Sequence, residues 1–383
     1  MELGEKVSKM KKMEHISAGL LVICNEKILL VQQANDIYKE HLSIPKGQIN
    51  KNEKPLDAAV RETYEETGLK IEKKFIRNQP YLMNIDSNNM QRRIIYYIAI
   101  IKQYARINIQ DKDEIKWAGF LNYMDAEKRL QITQLSVLLH LDSNHLSNRA
   151  MNWLCQSGYV TCEEHYEAQL RIYNYDKKCK VDQYWDEITQ WARGLITDAE
   201  NNILYYPIKK FFELNQMYRY LIPNGNKSFK LYEKKDGALG ILYWHNGYPY
   251  IATRGSFVSQ QAILGTHILY KYHYEDFKNF NKKYTYFFEI ISPQDKHVVD
   301  YGNEEDLFLI GAYDNVKGII ISSDEIDNLS FKKVKRIKNH INRKELLKID
   351  NPNEEGFVAL YDDGTRLKIK FNNYKIKHAQ IFK

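Results

Sequence analysis

The chain has 383 residues, of which 44% are hydrophobic and 13% aromatic. That length suits two domains, and the composition excludes an intrinsically disordered protein. The formal net charge of +7 is a mild basic excess, which is compatible with nucleic-acid binding without requiring it.

Several absences bear on where the protein acts. The N-terminal segment MELGEKVSKMKKMEH lacks the apolar stretch of a signal peptide, and no apolar run is long enough to span a membrane. The four cysteines follow no metal-binding spacing and indicate reduced thiols; they are Cys24, Cys155, Cys162 and Cys179. We therefore expect a cytoplasmic protein without a membrane partner, and no pattern predicts an oligomeric state.

The first elements along the chain are two apolar strands, SAGLLVIC and KILLVQQ, separated by a turn at Asn25 and Glu26. A helix is then predicted over 56–66, because Pro55 suits a first helical turn and Gly68 suits a helix end. The apolar run RRIIYYIAIIKQY predicts a further strand, and DEIKWAGFLNYMDAEKRL closes this first block.

The region from Gly47 to Leu69 reads G-x5-E-x7-R-E-x2-E-E-x-G followed by an aliphatic residue. The residues at those positions are Gly47, Glu53, Arg61, Glu62, Glu65, Glu66, Gly68 and Leu69. The three helical glutamates lie three or four residues apart and share one helix face. Carboxylates crowded in this way suit Mg²⁺ or Mn²⁺. A solvated acidic face is the alternative, but it does not account for the glycines and the arginine together.

This pattern resembles the Nudix box. The resemblance implies an α/β/α sandwich over about residues 13–141 that uses Mg²⁺ to hydrolyse a nucleoside diphosphate linked to another group. It implies catalytic roles for Arg61, Glu62, Glu65 and Glu66, and metal binding by Glu53 and the same three glutamates. Arg61 would orient a glutamate by a two-point ion pair. Glu114 is expected as a further ligand or general base, unless its DKDE loop is only an exposed loop.

The second block contains motifs of a different chemistry. In chain order they are ARGL at 192–195, PIKKFFELNQ at 207–216, KKDGAL at 234–239, TRGS at 253–256, FFEI at 287–290, SPQDKHVVDY at 292–301, EGFVAL at 355–360 and LKIKF at 367–371. A single K-x-D-G is a weak signal, but the ordered set resembles covalent nucleotidyltransferases, and more narrowly the phage-type RNA ligase 1 family. The resemblance covers about residues 165–377.

This resemblance implies that Lys234 attacks the α-phosphorus of ATP as a neutral amine, so its pKa is expected to be depressed by burial or by nearby cations. Lys368 and Lys370 would neutralise the phosphate, unless they belong to a solvated strand face. Either Phe212 or Phe211 would support the nucleotide pocket, or both are core residues. The other expected nucleotide-binding residues are Arg193, Lys210, Asp236, Gly237, Arg254, Glu289, Glu355, Gly356 and Tyr374. Asp236 suits a sugar hydroxyl or a metal-bound water, and Gly237 suits a tight turn beside the nucleotide.

The predicted fold class is therefore α+β with two domains. We expect a Nudix domain at 1–145, a helical linker at 146–165, and at 166–383 an ATP-grasp-like nucleotidyltransferase domain with antiparallel sheets and helices. The chain ends soon after LKIKF, so neither the helical domain of tRNA-specific family members nor an OB-type module is expected.

These resemblances predict a bifunctional RNA-repair enzyme using ATP and Mg²⁺ or Mn²⁺. The ligase would seal RNA with 5′-phosphate and 3′-hydroxyl ends through lysyl-AMP and adenylylated RNA. The Nudix domain would convert 5′-triphosphate or nucleotide-capped RNA to the monophosphate. Its alternative substrates are adenylylated RNA, ADP-ribose and diadenosine polyphosphate, and a non-catalytic RNA-binding sensor is the alternative from another class.

Overall fold

The computed structural model describes residues 14–34, 41–77, 80–87, 90–103, 106–217, 223, 227–337 and 343–381. The N-terminal segment MELGEKVSKMKKMEH lies outside these residues, apart from Glu14 and His15. Among the described residues, no helix is both long and apolar enough to cross a bilayer. The chain forms two compact units: Met1–Asp142 with Lys177–Glu187, and Ser143–Asp176 with Ile188–Lys383.

The first unit is built on a six-stranded mixed sheet. Its strands are β1 (Glu14–Cys24), β2 (Lys27–Gln33), β3 (Lys46–Gln48), β4 (Tyr81–Ser87), β5 (Met90–Ile101) and β6 (Ile115–Leu121). Their order is β4-β5-β1-β2-β6, with β3 paired to β1. Strands β1 and β5 are parallel, and the other pairs are antiparallel.

The helices of this unit are α1 (Pro55–Thr67) and α2 (Tyr123–Arg129), with 3-10 turns at Lys73–Phe75 and Ile132–His140. Helix α1 packs against β1 and β3. The strands β1 and β2 bury Leu20, Leu21, Leu29 and Leu30 completely, and each such side chain stabilises the fold by about 1.5–3 kcal/mol.

The local predictions for this block are confirmed. The turn between β1 and β2 has positive φ at both Asn25 (46°) and Glu26 (59°), which is the geometry of a tight hairpin turn that matches strand twist. Helix α1 has Pro55 in its first turn and ends at Gly68, whose φ of 73° is left-handed.

The second unit contains three antiparallel-rich sheets. Their strands are β7 (Val160–Glu164), β8 (Leu170–Tyr175), β9 (Arg193–Asp198), β10 (Ile203–Tyr205), β11 (Phe212–Glu213), β12 (Phe229–Lys234), β13 (Ala238–His245), β14 (Tyr248–Ala252), β15 (Tyr284–Ile291), β16 (Asp306–Asp314), β17 (Ile319–Ser322), β18 (Arg336–Ile337), β19 (Gly356–Tyr361) and β20 (Arg366–Lys370). The orders are β10-β9-β8-β7, β11-β20-β19-β12-β18 and β14-β13-β15-β16-β17.

The remaining helices of the described chain are α3 (Asn148–Gln156), α4 (Lys177–Val181), α5 (Glu187–Trp191), α6 (Gln260–Tyr272), α7 (Arg343–Leu346) and α8 (Asn372–Ile381). Helix α4 and Glu187 of α5 group with the first unit, and the others group with the second. Further 3-10 turns lie at Leu214–Gln216, Tyr274–Asn279 and Ser323–Glu325. The expected class of two α+β domains with antiparallel sheets is confirmed. The segment predicted as a helical linker contains α3 and then β7, which pairs with β8. The domain boundaries stay predictions.

Side-chain alternation in β12, β19 and β20 decides which groups meet. One face buries Leu231, Phe357, Ala359, Leu367 and Ile369 in a shared core. Because successive strand residues point to opposite faces, the other face presents the predicted catalytic positions. The register places Lys234 opposite Gly356, and Gly356 opposite Lys370.

Candidate active sites

Arg61 is the centre of an ion-pair network in the first unit. Its Nε lies 2.9 Å from one oxygen of Glu53, and its Nη2 lies 3.0 Å from the other. Its Nη1 lies 2.8 Å from Glu62 and 2.7 Å from Glu65, and Nη2 also donates to the carbonyl of Gln48. Glu53, then Glu62 and Glu65, raise the pKa of Arg61 against the effect of burial. Arg61 therefore forms the expected two-point ion pair, and its partner is Glu53.

Glu66 and Glu62 form the buried part of this carboxylate group. Glu66 is only 2% exposed and accepts a hydrogen bond from the backbone N–H of Lys46. Burial raises the pKa of Glu66 to about 8. The positive charge of Lys46 acts to lower this pKa, and the negative charges of Glu62 and Glu114 act to raise it. Burial also raises the pKa of Glu62, against the effect of Arg61.

The absence of a side chain at Gly47 allows β3 to lie close to Glu62 of helix α1. A β-carbon built on Gly47 would lie 2.0 Å from the carboxyl group of Glu62. Any side chain at this position would therefore displace that carboxylate, which gives a physical reason for glycine at the first position of the motif.

The residues present fit a divalent cation. After burial, the charge of Glu114 contributes to the raised pKa values of Glu62 and Glu66, and a hard cation would relieve that repulsion. Within the described residues, however, no group of three or more His, Cys, Asp or Glu side chains is arranged to hold a metal. Glu53 and Glu65 are paired with Arg61 instead. The set Glu53, Glu62, Glu65, Glu66 and Glu114 therefore stays a prediction.

The second unit contains a cavity of about 560 Å³. Residues from both five-stranded sheets line it, including Tyr232, Val358 and Leu360 from one, and Leu239, Glu289 and Ile310 from the other. Of the expected nucleotide-site residues, the cavity wall contains Arg193, Lys234, Gly237, Arg254 and Glu289.

Lys234 lines this cavity and forms an ion pair with the buried carboxylate of Glu355. Its Nζ is 2.7 Å from Oε2 of Glu355, and Nζ of Lys370 is 2.8 Å from Oε1 of the same carboxylate. Burial lowers the pKa of Lys234, but the charges of Glu355 and Glu289 outweigh it, and the net pKa is raised. The expected depression of this pKa is therefore corrected: two carboxylates dominate over the neighbouring cations.

Asp236 has a different environment from the one expected. Its Oδ2 accepts hydrogen bonds from the backbone N–H groups of Val298 and Val299, each at 2.9 Å. Its Oδ1 accepts one from the hydroxyl of Tyr374 at 2.8 Å. Both oxygens thus accept hydrogen bonds from the protein, and the expected contact of Asp236 with a sugar hydroxyl or a metal-bound water stays a prediction.

The glycines of the motifs are required for close packing. Gly237 lies at a bend in the short connection between β12 and β13 and does not have a left-handed φ. A β-carbon there would instead lie 2.4 Å from the carbonyl oxygen of Ile290. At Gly356, which follows Glu355 at the start of β19, φ is 147°. A β-carbon there would meet the carbonyl oxygen of Ile369 on the paired strand β20.

The remaining cations lie around aromatic rings. Arg193 lies 5.6 Å from the centroid of Phe211, and Arg254 lies 5.2 Å from that of Tyr175. Of the two candidate phenylalanines, Phe211 lines the cavity. Phe212 instead contacts Lys210, whose Nζ lies 4.5 Å from its ring centroid. Neither Phe212 nor Lys210 is part of the cavity wall.

Sequence reasoning missed three groups of this site. Arg366 lines the cavity, and its place two residues before Lys368 on the same strand face could have identified it. Glu163 accepts hydrogen bonds from the Ser256 hydroxyl at 2.9 Å and from the Phe257 N–H at 2.8 Å. Tyr175 accepts a hydrogen bond from Arg254. No sequence pattern links Glu163 or Tyr175 to residues 253–257.

Comparison with known families assigns both units. The family model of the NUDIX domain matches residues 13–141, and that of the T4-type RNA ligase matches residues 191–380. The chain joins a Nudix domain to an RNA ligase domain. Both predicted family resemblances are therefore confirmed. Residues 143–190, which include Glu163 and Tyr175, lie outside both matches.

Curated relatives match the Nudix domain. The chain is 30% identical over 96 residues to the asymmetrical bis(5′-nucleosyl)-tetraphosphatase of Mus musculus, and 29% identical over 99 residues to that of Rattus norvegicus. Each match covers 24% of this chain and 64% of the relative's length.

Solved structures also match the Nudix domain. A Caenorhabditis elegans Ap4A hydrolase complex is 19% identical, covering 37% of this chain and 98% of that one, with a TM-score of 0.28. A MutT Nudix hydrolase from Burkholderia pseudomallei is 20% identical, covering 30% and 86%, with a TM-score of 0.26. Scores this low carry no argument beyond the family matches.

Proposed function

We propose that the protein is a bifunctional RNA end-processing enzyme, in which the ligase domain seals RNA and the Nudix domain hydrolyses a pyrophosphate linkage. The observation that carries the proposal is the position of Lys234, on the wall of a nucleotide-sized cavity and ion-paired with buried Glu355. The order of motifs around Lys234 supports ATP as the nucleotide and RNA with 5′-phosphate and 3′-hydroxyl ends as the partner.

The ligase reaction would proceed in three transfers. The Lys234 amine attacks the α-phosphorus of ATP, a P–N bond forms, and pyrophosphate leaves. The AMP then passes to an RNA 5′-phosphate, which forms a 5′-5′ pyrophosphate linkage and returns the lysine amine. Finally a 3′-hydroxyl attacks that 5′-phosphorus, the phosphodiester forms, and AMP leaves. Lys370 and Lys368, which both lie on β20, would neutralise phosphate charge.

The Nudix reaction would use the carboxylates around α1. Mg²⁺ or Mn²⁺, when bound, supplies charge neutralisation for a pyrophosphate and lowers the pKa of a bound water. Glu62 and Glu66 are the best-placed ligands because they are the most buried members of the cluster, and Arg61 holds Glu53 and Glu65 at its edge. Glu114 is the additional acidic group from the loop before β6.

The two activities would meet at one chemical group. A ligase of this kind needs a 5′-monophosphate, and RNA with a 5′-triphosphate or a nucleotide cap cannot be adenylylated directly. Our leading proposal is that the Nudix domain trims such an end and so prepares it for the ligase. The fusion of the two domains in one chain supports this order of events.

The test uses one 5′-triphosphate RNA and its 5′-monophosphate twin, each with ATP and Mg²⁺. The wild-type protein is expected to seal both RNAs, and Glu66→Gln is expected to seal only the monophosphate. If the wild-type protein seals the monophosphate but leaves the triphosphate intact, the Nudix substrate is a different one. If it seals neither and forms no lysyl-AMP, the ligase assignment itself fails.

A second substrate is favoured by a specific observation. The curated relatives of the Nudix domain are bis(5′-nucleosyl)-tetraphosphatases, which supports a diadenosine polyphosphate as the alternative. The Lys234→Ala variant, which lacks the ligase nucleophile, would be assayed with diadenosine tetraphosphate and with 5′-triphosphate RNA. A higher kcat/KM on the dinucleotide would favour this alternative over RNA end trimming.

We also propose a cytoplasmic location. None of the four cysteines, all within the described residues, forms a disulfide, and reduced thiols are typical of the cytosol. Immunodetection in fractionated cells would test this directly.

A further inference from the structure

Arg366 is a cavity-lining cation without an assigned ligand. It is the first residue of β20, and Leu367 and Ile369 of that strand are buried in the core on the opposite face. Arg366, Lys368 and Lys370 therefore lie on one strand face at intervals of about 7 Å. The last two are predicted phosphate neighbours, and Arg366 extends that row along the cavity wall.

The guanidinium of Arg366 has no acceptor from the protein. In the part of the chain that the structure describes, it makes no hydrogen bond and no ion pair, although it has five N–H donors. Among charged side chains, another cation, Arg193, acts on it most strongly. Burial lowers the pKa of Arg366 to about 10, and the charge of Arg193 adds to this effect.

The rest of the cavity wall does not balance this charge. Its cationic side chains are Arg193, Lys234, Lys235, Arg254 and Arg366, and its carboxylates are Glu233 and Glu289. Arg193 donates a hydrogen bond to the carbonyl oxygen of Ile208 at 3.3 Å, whereas Arg366 is a partly buried cation with no acceptor among the described residues, which is a costly arrangement. Binding a neutral base beside Arg193 and Arg366 would not offset that cost, whereas a phosphoryl group would accept hydrogen bonds from both guanidinium groups.

We propose that Arg366, together with Arg193, forms a phosphoryl-binding subsite in the ligase cavity, separate from the α-phosphate position beside Lys234. The phosphoryl group belongs either to the β,γ-phosphates of ATP or to the RNA. This inference rests on the proposed ligase function, because it assigns a ligand to the same cavity. Arg366 acts by direct contact with the bound phosphate.

The experiment compares Arg366→Met, which keeps the aliphatic length, with Arg366→Lys and with the matched control Arg336→Met. Arg336 is a surface arginine on β18 of the same sheet, paired with Asp324. Each full-length variant is assayed for lysyl-AMP formation over a range of ATP concentrations, and for sealing of chemically adenylylated RNA without ATP. Thermal melting confirms that each variant is folded.

If the subsite binds the triphosphate, Arg366→Met raises the KM for ATP by roughly tenfold or more, Arg366→Lys raises it less, and sealing of adenylylated RNA is unchanged. If the subsite binds RNA, the KM for adenylylated RNA rises instead. Either result supports the subsite. Unchanged KM values in both assays, with a folded variant, overturn it.

A binding measurement separates this inference from the proposed function. Calorimetric titration of the full-length wild-type protein with inorganic tripolyphosphate is expected to show binding that Arg366→Met weakens and Arg336→Met retains. Failure of the wild-type protein to form lysyl-AMP would contradict the ligase function while leaving this comparison interpretable. Equal tripolyphosphate affinity in wild type and Arg366→Met contradicts the subsite itself.

Discussion

Lys234 and Glu355 form an ion pair of 2.7 Å at the edge of the ligase cavity. Glu355 is 3% exposed, and its other oxygen is paired with Lys370. The charges of Glu355 and Glu289 outweigh burial and raise the pKa of Lys234, whereas nucleophilic attack needs a neutral amine. The proposed attack of Lys234 on ATP would therefore require the Lys234–Glu355 ion pair to loosen first.

Replacing Lys234 tests the nucleophile. Lys234→Ala is expected to abolish the covalent AMP adduct, because it removes the predicted nucleophile, and to leave Nudix turnover unchanged, since the carboxylate cluster belongs to the other unit. The adduct is measured by retention of labelled AMP on denatured protein. Lys278→Ala serves as the control, because Lys278 is an exposed lysine. Loss of both activities in a folded Lys234→Ala protein would mean that the domains are not independent.

Replacing Glu66 tests the Nudix cluster. Glu66→Gln keeps the size of the side chain but removes the most buried charge of the cluster, so hydrolysis of the pyrophosphate substrate should fall by on the order of 100-fold or more. Formation of lysyl-AMP should not change. Glu72→Gln, at an exposed glutamate of the same domain, is the matched control and should retain full activity. Equal activity of the two variants would remove Glu66 from the site.

The pKa of Lys368 gives a pH prediction for ATP binding. Burial and then the charge of Lys370 lower the pKa of Lys368 to about 8. Phosphate favours the cationic form, so the contribution of Lys368 is complete well below pH 8 and falls as the pH rises through that value. Binding of a non-hydrolysable ATP analogue should therefore weaken by up to about fivefold between pH 8 and 9 from this group.

Lys368→Arg provides the control for that pH effect, because arginine stays charged throughout this range. Calorimetry in two buffers of different ionisation enthalpy would measure proton uptake on binding. The wild-type protein should take up a proton near pH 8–9, and the variant should take up less. The same proton uptake in both proteins would assign the titration to another group.

Glu163 is expected to position residues 253–257 of the cavity wall. It accepts hydrogen bonds from Ser256 and Phe257, and Arg254 and Ser256 line the cavity. Glu163→Gln should raise the KM for ATP in lysyl-AMP formation by several-fold, corresponding to about 1–2 kcal/mol for a weakened charge-assisted hydrogen bond, with a smaller effect on kcat.

The matched control is Glu164→Gln, the next residue of β7, whose side chain is 71% exposed. A double-mutant cycle with Ser256→Ala tests the specific contact, since the two changes should be non-additive if they share one hydrogen bond. A general loss of thermal stability in Glu163→Gln with an unchanged KM for ATP would instead indicate only a structural role.

Patterns that act within one element were predictable from the sequence. The alternation of Leu367 and Ile369 with Lys368 and Lys370 gave the inner and outer faces of β20. Pro55 and Gly68 gave the ends of α1, and the spacing of Glu62, Glu65 and Glu66 placed them on one helix face. Each of these depends on local geometry, with periods of two or 3.6 residues, and needs no knowledge of distant contacts.

Only the tertiary structure decided which charges meet. The pKa of Lys234 depends on Glu355, 121 residues away, and the hydrogen bonds of Asp236 come from Val298, Val299 and Tyr374. Glu163 reaches the loop at 253–257 from a region that neither family match covers. Burial multiplies the effect of such pairings, because charges interact more strongly where water is excluded. The sequence alone determined the two chemistries, and the fold determined the charge state and partners of the groups that would perform them.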